Sequence, residues 1–130
     1  MYCLMKLHIR KEWHKNKVRH RSKNSPAIEY YDGFKVLYNN GIRYEIIQHE
    51  NGTKEWHKCI ISLTDFVISR NENSFSKTLH SFNDCPAVIY PNGDAEWWCN
   101  GKRHRINGPA VVYGNKQYWF VDGEFQRCIV

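Results

Sequence analysis

The sequence predicts an all-β fold, an elongated antiparallel β-meander of stacked hairpin repeats of about 22 residues each. Three features predict it: short apolar runs joined by Asn-Gly or Asp-Gly, a recurring tryptophan position, and a recurring Pro-Ala segment. The clearest hairpin runs from Cys85 to Arg105, with turns at Asn92-Gly93 and Asn100-Gly101. Turns of this kind require positive φ, which Asn and Gly tolerate, and they therefore predict antiparallel pairing of the flanking runs.

The tryptophan position brings the whole chain into register. The intervals between its successive occurrences are 24, 19, 41 and 22 residues. The interval of 41 corresponds to two units, which predicts a degenerate copy within residues 60–82. The occurrences are Trp13, Leu37, Trp56, Trp97 and Trp119.

The Pro-Ala segments agree with this register. Pro26 precedes Gly41 by 15 residues, and Pro86 precedes Gly101 by the same 15. We therefore predict a single repeat domain over residues 1–130, with units too small to fold alone. The predicted units are about 1–21, 22–44, 45–59, 60–82, 83–105 and 106–130.

The bulk composition restricts the class of protein. No apolar run approaches the roughly 18 residues of a membrane span, and no secretory leader is evident, so a cytoplasmic location is expected. The five cysteines are odd in number and not closely paired, which favours reduced thiols. The net charge of +6 is local, because residues 6–23 hold eight basic residues and one acidic residue.

Strict alternation along the strands predicts two faces. A two-residue turn at Asn92-Gly93 would place Val88 opposite Trp97, Tyr90 opposite Ala95, and Pro86 opposite Cys99. Ala87 and Ile89 would then point to the other side, together with Glu96 and Trp98. The predicted core face holds Trp13, Leu37, Trp56, Trp97 and Trp119 with Ile28, Ile47, Val88 and Val111. On this prediction, Trp97→Ala unfolds the chain or nearly so.

The second face is a candidate binding surface. It carries aromatic and imidazole groups at matched positions: His14, Tyr38, His57, Trp98 and Phe120. An exposed row of this composition indicates a partner, although a long loop or a second chain could also cover it.

Basic residues beside these rings add a second class of candidate site. Cations can contact phosphates while rings stack on bases, which predicts a nucleotide or nucleic-acid ligand as an alternative. The opposing interpretation is that the His-Arg pairs bond to turn carbonyls. The candidate residues are Arg19, Arg21, Arg103, His104 and Arg105.

Catalysis and metal binding find less support in the sequence. There is no phosphate-binding loop, no nucleophile elbow and no pair of acids tied to a histidine at useful spacing, so an enzyme is less expected than a binding protein. The remaining enzymatic alternative is a phosphodiesterase using His20 or His104. Cys85 and Cys99 with His104 or His80 lack the short spacing of zinc sites, and no metal or cofactor is predicted.

The sequence from Trp98 through Asn100-Gly101 and His104-Arg105 to Pro109-Ala110 and Tyr113 resembles a known repeat. Short repeats of this W-x-x-NG-x-x-HR-x-x-GPA-x-x-Y type occur in uncharacterised phage and giant-virus proteins and are similar to MORN repeats. The resemblance covers nearly the full chain outside residues 60–82. It departs where Lys17 replaces Gly, and where Tyr44-Glu45 and Gln126-Arg127 replace His-Arg.

The resemblance implies a stacked-hairpin sheet that serves binding, dimerisation or scaffolding. It further implies a viral protein that acts in the host cytoplasm. Such a protein would engage a host protein, including one of a defence system, or sequester a nucleotide signal. Self-association is also expected, because the segment Cys128-Ile129-Val130 has no charge to protect a sheet edge.

Overall fold

The all-β class is confirmed by a computed structural model of the chain, which describes residues 2–6, 10–60 and 76–130. All regular secondary structure in these stretches is β-strand. None of the described residues belongs to a helix long and apolar enough to cross a membrane. The middle of the predicted degenerate copy, residues 61–75, lies outside the described residues.

Fifteen strands are described, most of them short. They are β1 (Tyr2–Lys6), β2 (Arg10–Lys15), β3 (Val18–Arg19), β4 (Ile28–Tyr30), β5 (Lys35–Asn39), β6 (Ile42–Gln48), β7 (Lys54–Ile60), β8 (Ser76–Leu79), β9 (Val88–Ile89), β10 (Ala95–Glu96), β11 (Trp98–Cys99), β12 (Lys102–Arg103), β13 (Val111–Tyr113), β14 (Lys116–Val121) and β15 (Glu124–Ile129).

The strand pairs are antiparallel, and β11 pairs with β12 in a two-stranded sheet of its own. The chain divides into two compact units, residues 1–45 and residues 46–130. In the first unit β2 pairs with β1, β3 and β4, and β5 pairs with β4 and β6. In the second unit β7 pairs with β8 and β9, and the order continues through β10, β13, β14 and β15.

Two-residue turns close one kind of hairpin, as the sequence predicts. Asn100 and Gly101 have φ of 49° and 81°, and Cys99 pairs directly with Lys102. Asn40-Gly41 and Asp122-Gly123 have the same pattern. The turn at Asn16-Lys17 also has positive φ at both residues, although the second is not a glycine.

A second kind of hairpin has three-residue turns, and here the predicted register is wrong. Tyr90 N–H donates to Asp94 O at 2.9 Å and Gly93 N–H donates to Tyr90 O at 3.0 Å, so three residues from Pro91 to Gly93 form the loop. Val88 consequently pairs with Glu96 instead of Trp97, and Ala95 pairs with Ile89 instead of Tyr90. A slip of one residue moves every side chain to the opposite face, because the side-chain period of a strand is two.

Each Pro-Ala segment forms a β-bulge, which also interrupts alternation. Ala87 N–H donates to Glu96 O at 2.9 Å although Val88 is the residue paired with Glu96, so two residues oppose one. Ala27-Ile28 opposes Val36 in the same way. Ala110-Val111 opposes Tyr118 likewise. Both residues of each pair are at most 4% exposed, so each pair belongs to the apolar core of its own compact unit.

The tryptophans predicted as the core are only half-buried. Trp13, Trp56 and Trp97 each donate their backbone N–H to the carbonyl of a bulge alanine, at 2.7–2.8 Å. None of the four anchor tryptophans is among the buried residues, whereas Glu12 and Glu96, the residues immediately before two of them, are 4% and 2% exposed. Ile28, Val88 and Val111 of the predicted core face are buried, and so are Tyr38 and Glu96 of the predicted second face, so burial does not follow the predicted division into two faces.

Candidate functional site

A buried carboxylate organises the first unit. Glu12 on β2 accepts hydrogen bonds from Arg10 Nε at 2.7 Å and from Arg19 Nε at 2.8 Å. His14 Nε2 lies 3.3 Å from the same carboxylate. Burial by itself raises the pKa of Glu12, but hydrogen bonds and charge from Arg19 and Arg10 outweigh it and leave the pKa below its usual value. Glu12 is therefore an ionised structural centre.

The second unit contains a corresponding centre at Glu96. Its carboxylate accepts hydrogen bonds from the hydroxyls of Tyr90 and Tyr113, the latter at 2.8 Å. Trp98 Nε1 donates at 3.0 Å and Arg103 Nε donates at 3.4 Å. Four donors from three strands and a turn thus converge on one buried carboxylate.

These contacts shift three pKa values in physically consistent directions. Burial raises the pKa of Glu96, yet the hydroxyl donors, with Arg103 and Trp98, bring it below its usual value. Burial first, and then the hydrogen bond and charge of Glu96, raise the pKa of Tyr90 and of Tyr113. Both phenols thus remain protonated donors at neutral pH.

A third carboxylate, Glu55 on β7, is paired with histidines. His57 Nε2 lies 2.9 Å from Glu55 Oε1, and His49 Nε2 lies 3.3 Å from Oε2. Burial by itself raises the pKa of Glu55, but contacts with His57 and His49 outweigh it and leave the pKa below its usual value. In each of the three centres, the side chain two residues after the glutamate contacts its carboxylate, namely His14, His57 or Trp98.

The glutamates were missed as central residues by the sequence prediction, although a local signal existed. The pentapeptide Lys-Glu-Trp-His-Lys occurs twice, at 11–15 and 54–58, and Glu96-Trp97 repeats its centre. An acidic residue that recurs directly before the tryptophan is a candidate for a buried carboxylate, because buried polar groups are hydrogen-bonded and the recurrence points to shared donors. The arginine donors follow seven residues later, in Arg19 and Arg103.

The predicted aromatic row is placed around these centres. Arg19 lies over the ring of Tyr38 at 5.5 Å from its centroid, and Tyr38 is only 4% exposed. Arg103 lies 5.2 Å from the Trp98 ring centroid and 5.7 Å from that of Phe120. Tyr38 is therefore a core residue, and the expectation of an exposed row is wrong at that position.

Arg21 and Arg105 stack on tryptophans instead. The Arg105 guanidinium lies 3.9 Å from the Trp97 ring centroid and also bonds to the carboxylate of Asp84 and to Pro109 O. Arg21 lies 4.0 Å from the Trp13 ring centroid and bonds to Pro26 O. Both guanidinium groups, predicted as phosphate ligands, thus make cation–π contacts within their own unit.

The histidine of the His-Arg pair caps a turn. The Nδ1 atom of His104 accepts the backbone N–H of Asp122 at 3.0 Å. His20 accepts that of Asn40 at 2.8 Å, and His80 accepts that of Asn100 at 3.2 Å. Each acceptor must be a neutral imidazole with its proton on Nε2. Burial first, and then a nearby lysine, lowers the pKa of His20 and of His80, which favours that form.

The cysteines that could have formed a zinc site remain free thiols. Cys85, Cys99 and Cys128 are free thiols. Across residues 2–6, 10–60 and 76–130, no group of three or more His, Cys, Asp or Glu side chains is arranged to hold a metal ion.

An open cleft in the second unit was not predicted. It has a volume of about 520 Å³ and lies between the turns that connect β-strands at residues 49–53 and 90–94. The turn residues Asn51, Thr53, Pro91, Asn92 and Asp94 line it, together with Tyr90 and Tyr113. No sequence pattern signals it, because its walls come from two turns about 40 residues apart.

Comparison of the chain with models of protein families, with curated proteins and with solved structures found no significant match.

Proposed function

We propose that this chain is a non-enzymatic binding protein, a MORN-like scaffold of hairpin repeats that engages a protein partner. The observation that carries this proposal is the recurrence of one side-chain-to-backbone bond at three positions. His20, His80 and His104 each accept the N–H of the first residue of a two-residue turn. Recurrence at matched positions indicates a scaffolding role, because a catalytic histidine is needed once.

Repeat scaffolds typically present extended surfaces to a partner. Large apolar side chains are available for such contacts: Ile106 is 79% exposed and Tyr31 is 58% exposed. Burial of such side chains contributes most of the energy of protein interfaces. The resemblance to viral repeats adds the proposal that the partner is a host protein, with self-association as a second mode.

The test is affinity capture with the purified chain, followed by reconstitution with the purified partner. A genuine partner co-elutes at fixed stoichiometry and is lost with Ile106→Asp or Tyr31→Asp while the far-UV circular dichroism is unchanged. A chain that stays monomeric, retains no protein and instead turns over a substrate would overturn the proposal.

The alternative, binding of a nucleotide or nucleic acid, finds support in the exposed lysines Lys17 and Lys23 of the first unit. The arginines of that region are engaged internally, Arg19 with Glu12 and Arg21 with Trp13. A bound nucleotide would appear as excess absorbance at 260 nm after gel filtration. Phosphate contacts would also weaken binding steeply as salt rises.

A further inference from the structure

The cleft between the two turns of the second unit has a distinctive charge. The residues that line it include no lysine, arginine or histidine. Asp94 Oδ1 accepts the backbone N–H of Gly114 at 2.9 Å, and Oδ2 accepts Asn92 Nδ2 at 3.0 Å. Both donors are neutral, so the negative charge of Asp94 is not balanced by an ion pair within the part of the chain that the structure describes.

Two electron-rich rings form the adjacent wall. Tyr90 and Tyr113 meet edge to face, with their centroids 6.3 Å apart, and both hydroxyls donate to the carboxylate of Glu96. A phenol that donates to a carboxylate gains electron density in its ring, which strengthens its attraction for a cation over the ring face. Tyr113 is 37% exposed, so part of its ring is accessible.

A buried hydroxyl in the same cleft lacks a partner. Thr53 is 5% exposed, and its Oγ1 makes no hydrogen bond within the described residues. Thr53 N–H is held by Asn51 Oδ1 at 2.9 Å, which fixes the turn. Unsatisfied buried hydroxyls are uncommon, and one that lines a cleft is an available acceptor for a ligand N–H after a rotation about its Cα–Cβ bond.

We propose that this cleft binds an organic cation, an alkyl-substituted ammonium group seated against the rings of Tyr90 and Tyr113 beside the carboxylate of Asp94. Phosphates and other anions are disfavoured by Asp94. The ammonium could belong to a free small molecule or to a lysine side chain of the protein partner, and in the second case the inference rests on the proposed function.

The test is a titration of the isotopically labelled chain followed by NMR. Choline is the cationic probe, and 3,3-dimethyl-1-butanol is its neutral isostere of nearly the same shape. Choline should shift the signals of Tyr90, Tyr113 and Thr53, with the neutral isostere binding at least about tenfold more weakly. The inference is overturned if the two bind equally, or if no signal of the cleft moves at about 100 mM choline, a concentration that would reveal even very weak binding.

Two variants separate charge from shape. Asp94→Asn keeps an acceptor for Gly114 N–H but removes the charge, and it should weaken choline binding about tenfold. Thr53→Val keeps the shape without the hydroxyl and should weaken binding of n-butylammonium, which has N–H donors, more than that of choline, which has none on its nitrogen. Asp32→Asn, in an exposed turn of the first unit, is the matched control and should change nothing. Unchanged affinity in Asp94→Asn contradicts the inference.

A third comparison identifies the source of the cation. A short acetylated peptide with one central lysine should bind more tightly than n-butylammonium if the natural ligand is a protein side chain, and no more tightly if it is a free molecule. If a captured partner binds Asp94→Asn as tightly as wild type, the cleft is not its site, although the binding function stands. If choline binds but no protein is ever retained, the cleft site stands and the proposed protein-binding function fails.

Discussion

Replacement of Glu96 by glutamine tests the claim that buried carboxylates hold this fold together. Glutamine has nearly the same shape, so the change removes charge and one acceptor without creating a cavity. Its amide NH2 would face the donors that now converge on the carboxylate from Tyr90, Tyr113, Trp98 and Arg103. The remaining carbonyl oxygen can satisfy about half of them.

The magnitude follows from the number and kind of these bonds. A hydrogen bond to a charged group contributes about 1.5–3 kcal/mol, and loss of one partner from a buried charge pair costs about 3–5 kcal/mol. Tyr113 is 37% exposed and can recover a bond to water, which favours the lower part of the range. We therefore expect Glu96→Gln to lower the free energy of unfolding by about 3 kcal/mol.

The assay is urea unfolding at about pH 7, followed by far-UV circular dichroism because Trp98 fluorescence will itself respond. Glu124→Gln, at an exposed position on β15, is the matched control and should change stability by less than about 0.5 kcal/mol. Tyr113→Phe should destabilise the wild type by about 1.5 kcal/mol and the glutamine variant by clearly less, because the bond it removes is already impaired.

The dependence on pH supplies a second readout. The pKa of Glu96 in the folded protein lies below its usual value of 4.5, so the charged form stabilises the fold above pH 4.5. This contribution is lost as the pH falls through the lowered pKa, and the wild type and Glu96→Gln should converge in stability in acid. A variant within about 1 kcal/mol of wild type at neutral pH would refute the reasoning, since that loss is less than one charged hydrogen bond.

Three further predictions, each measured by urea unfolding, concern the turns and the stacked Arg105. Burial lowers the pKa of His80 below 6.5, so its neutral form stabilises the fold above pH 6.5. This contribution is lost as the pH falls below 6.5. The wild type should therefore lose more stability than His80→Gln between about pH 7.5 and about pH 5.5. Gly41→Ala should lower the free energy of unfolding more than Gly93→Ala. Both glycines have positive φ (85° and 93°), but only at Gly41 would an added Cβ lie 3.3 Å from a neighbouring side chain. Equal losses of stability would contradict this. Arg105→Lys should cost about 1 kcal/mol by removing the planar stack on Trp97 while keeping the charge, and no loss would indicate that the stack is incidental.

The correction of the core changes the expected effect of mutating Trp97. Its ring is half-buried against Arg105, and its indole N–H bonds to Asp84 O at 2.9 Å. Removal of a partly exposed ring of this kind should cost about 2–3 kcal/mol. Trp97→Ala should therefore remain folded at 25 °C, in contrast to the sequence-based expectation of near-complete unfolding.

The turns could be predicted from the sequence because their cause is local. Asn-Gly and Asp-Gly adopt positive φ at little cost whatever surrounds them, and the pairing of Cys99 with Lys102 follows directly. The second kind of turn was harder, since Pro91 before Asn92-Gly93 favours a type I turn with an extra residue. That one extra residue placed Glu96, rather than Trp97, on the same face as Val88.

The identity of the buried face could not be read from the sequence for a second physical reason. The bulges at Ala87-Val88 and Ala110-Val111 bury two consecutive residues, so the period of two breaks within each strand. A glutamate in such a strand looks like a solvent-facing residue until its donors are known. Those of Glu96 lie up to 17 residues away, in Tyr113, and the bond to that hydroxyl depends on the strand order.

The division between recurring and non-recurring residues supports the proposal of a binding site in the cleft. The histidines that cap turns, the arginines that stack on tryptophans and the glutamates before those tryptophans all recur, and each is engaged within its own compact unit. Residues engaged in these internal contacts could bind a ligand only by breaking the contacts and destabilising the fold. The cleft residues Thr53, Pro91 and Asp94 belong to turns whose sequences differ from one hairpin to the next. Specificity in a repeat scaffold arises at such variable positions, since uniform positions can offer only a uniform surface.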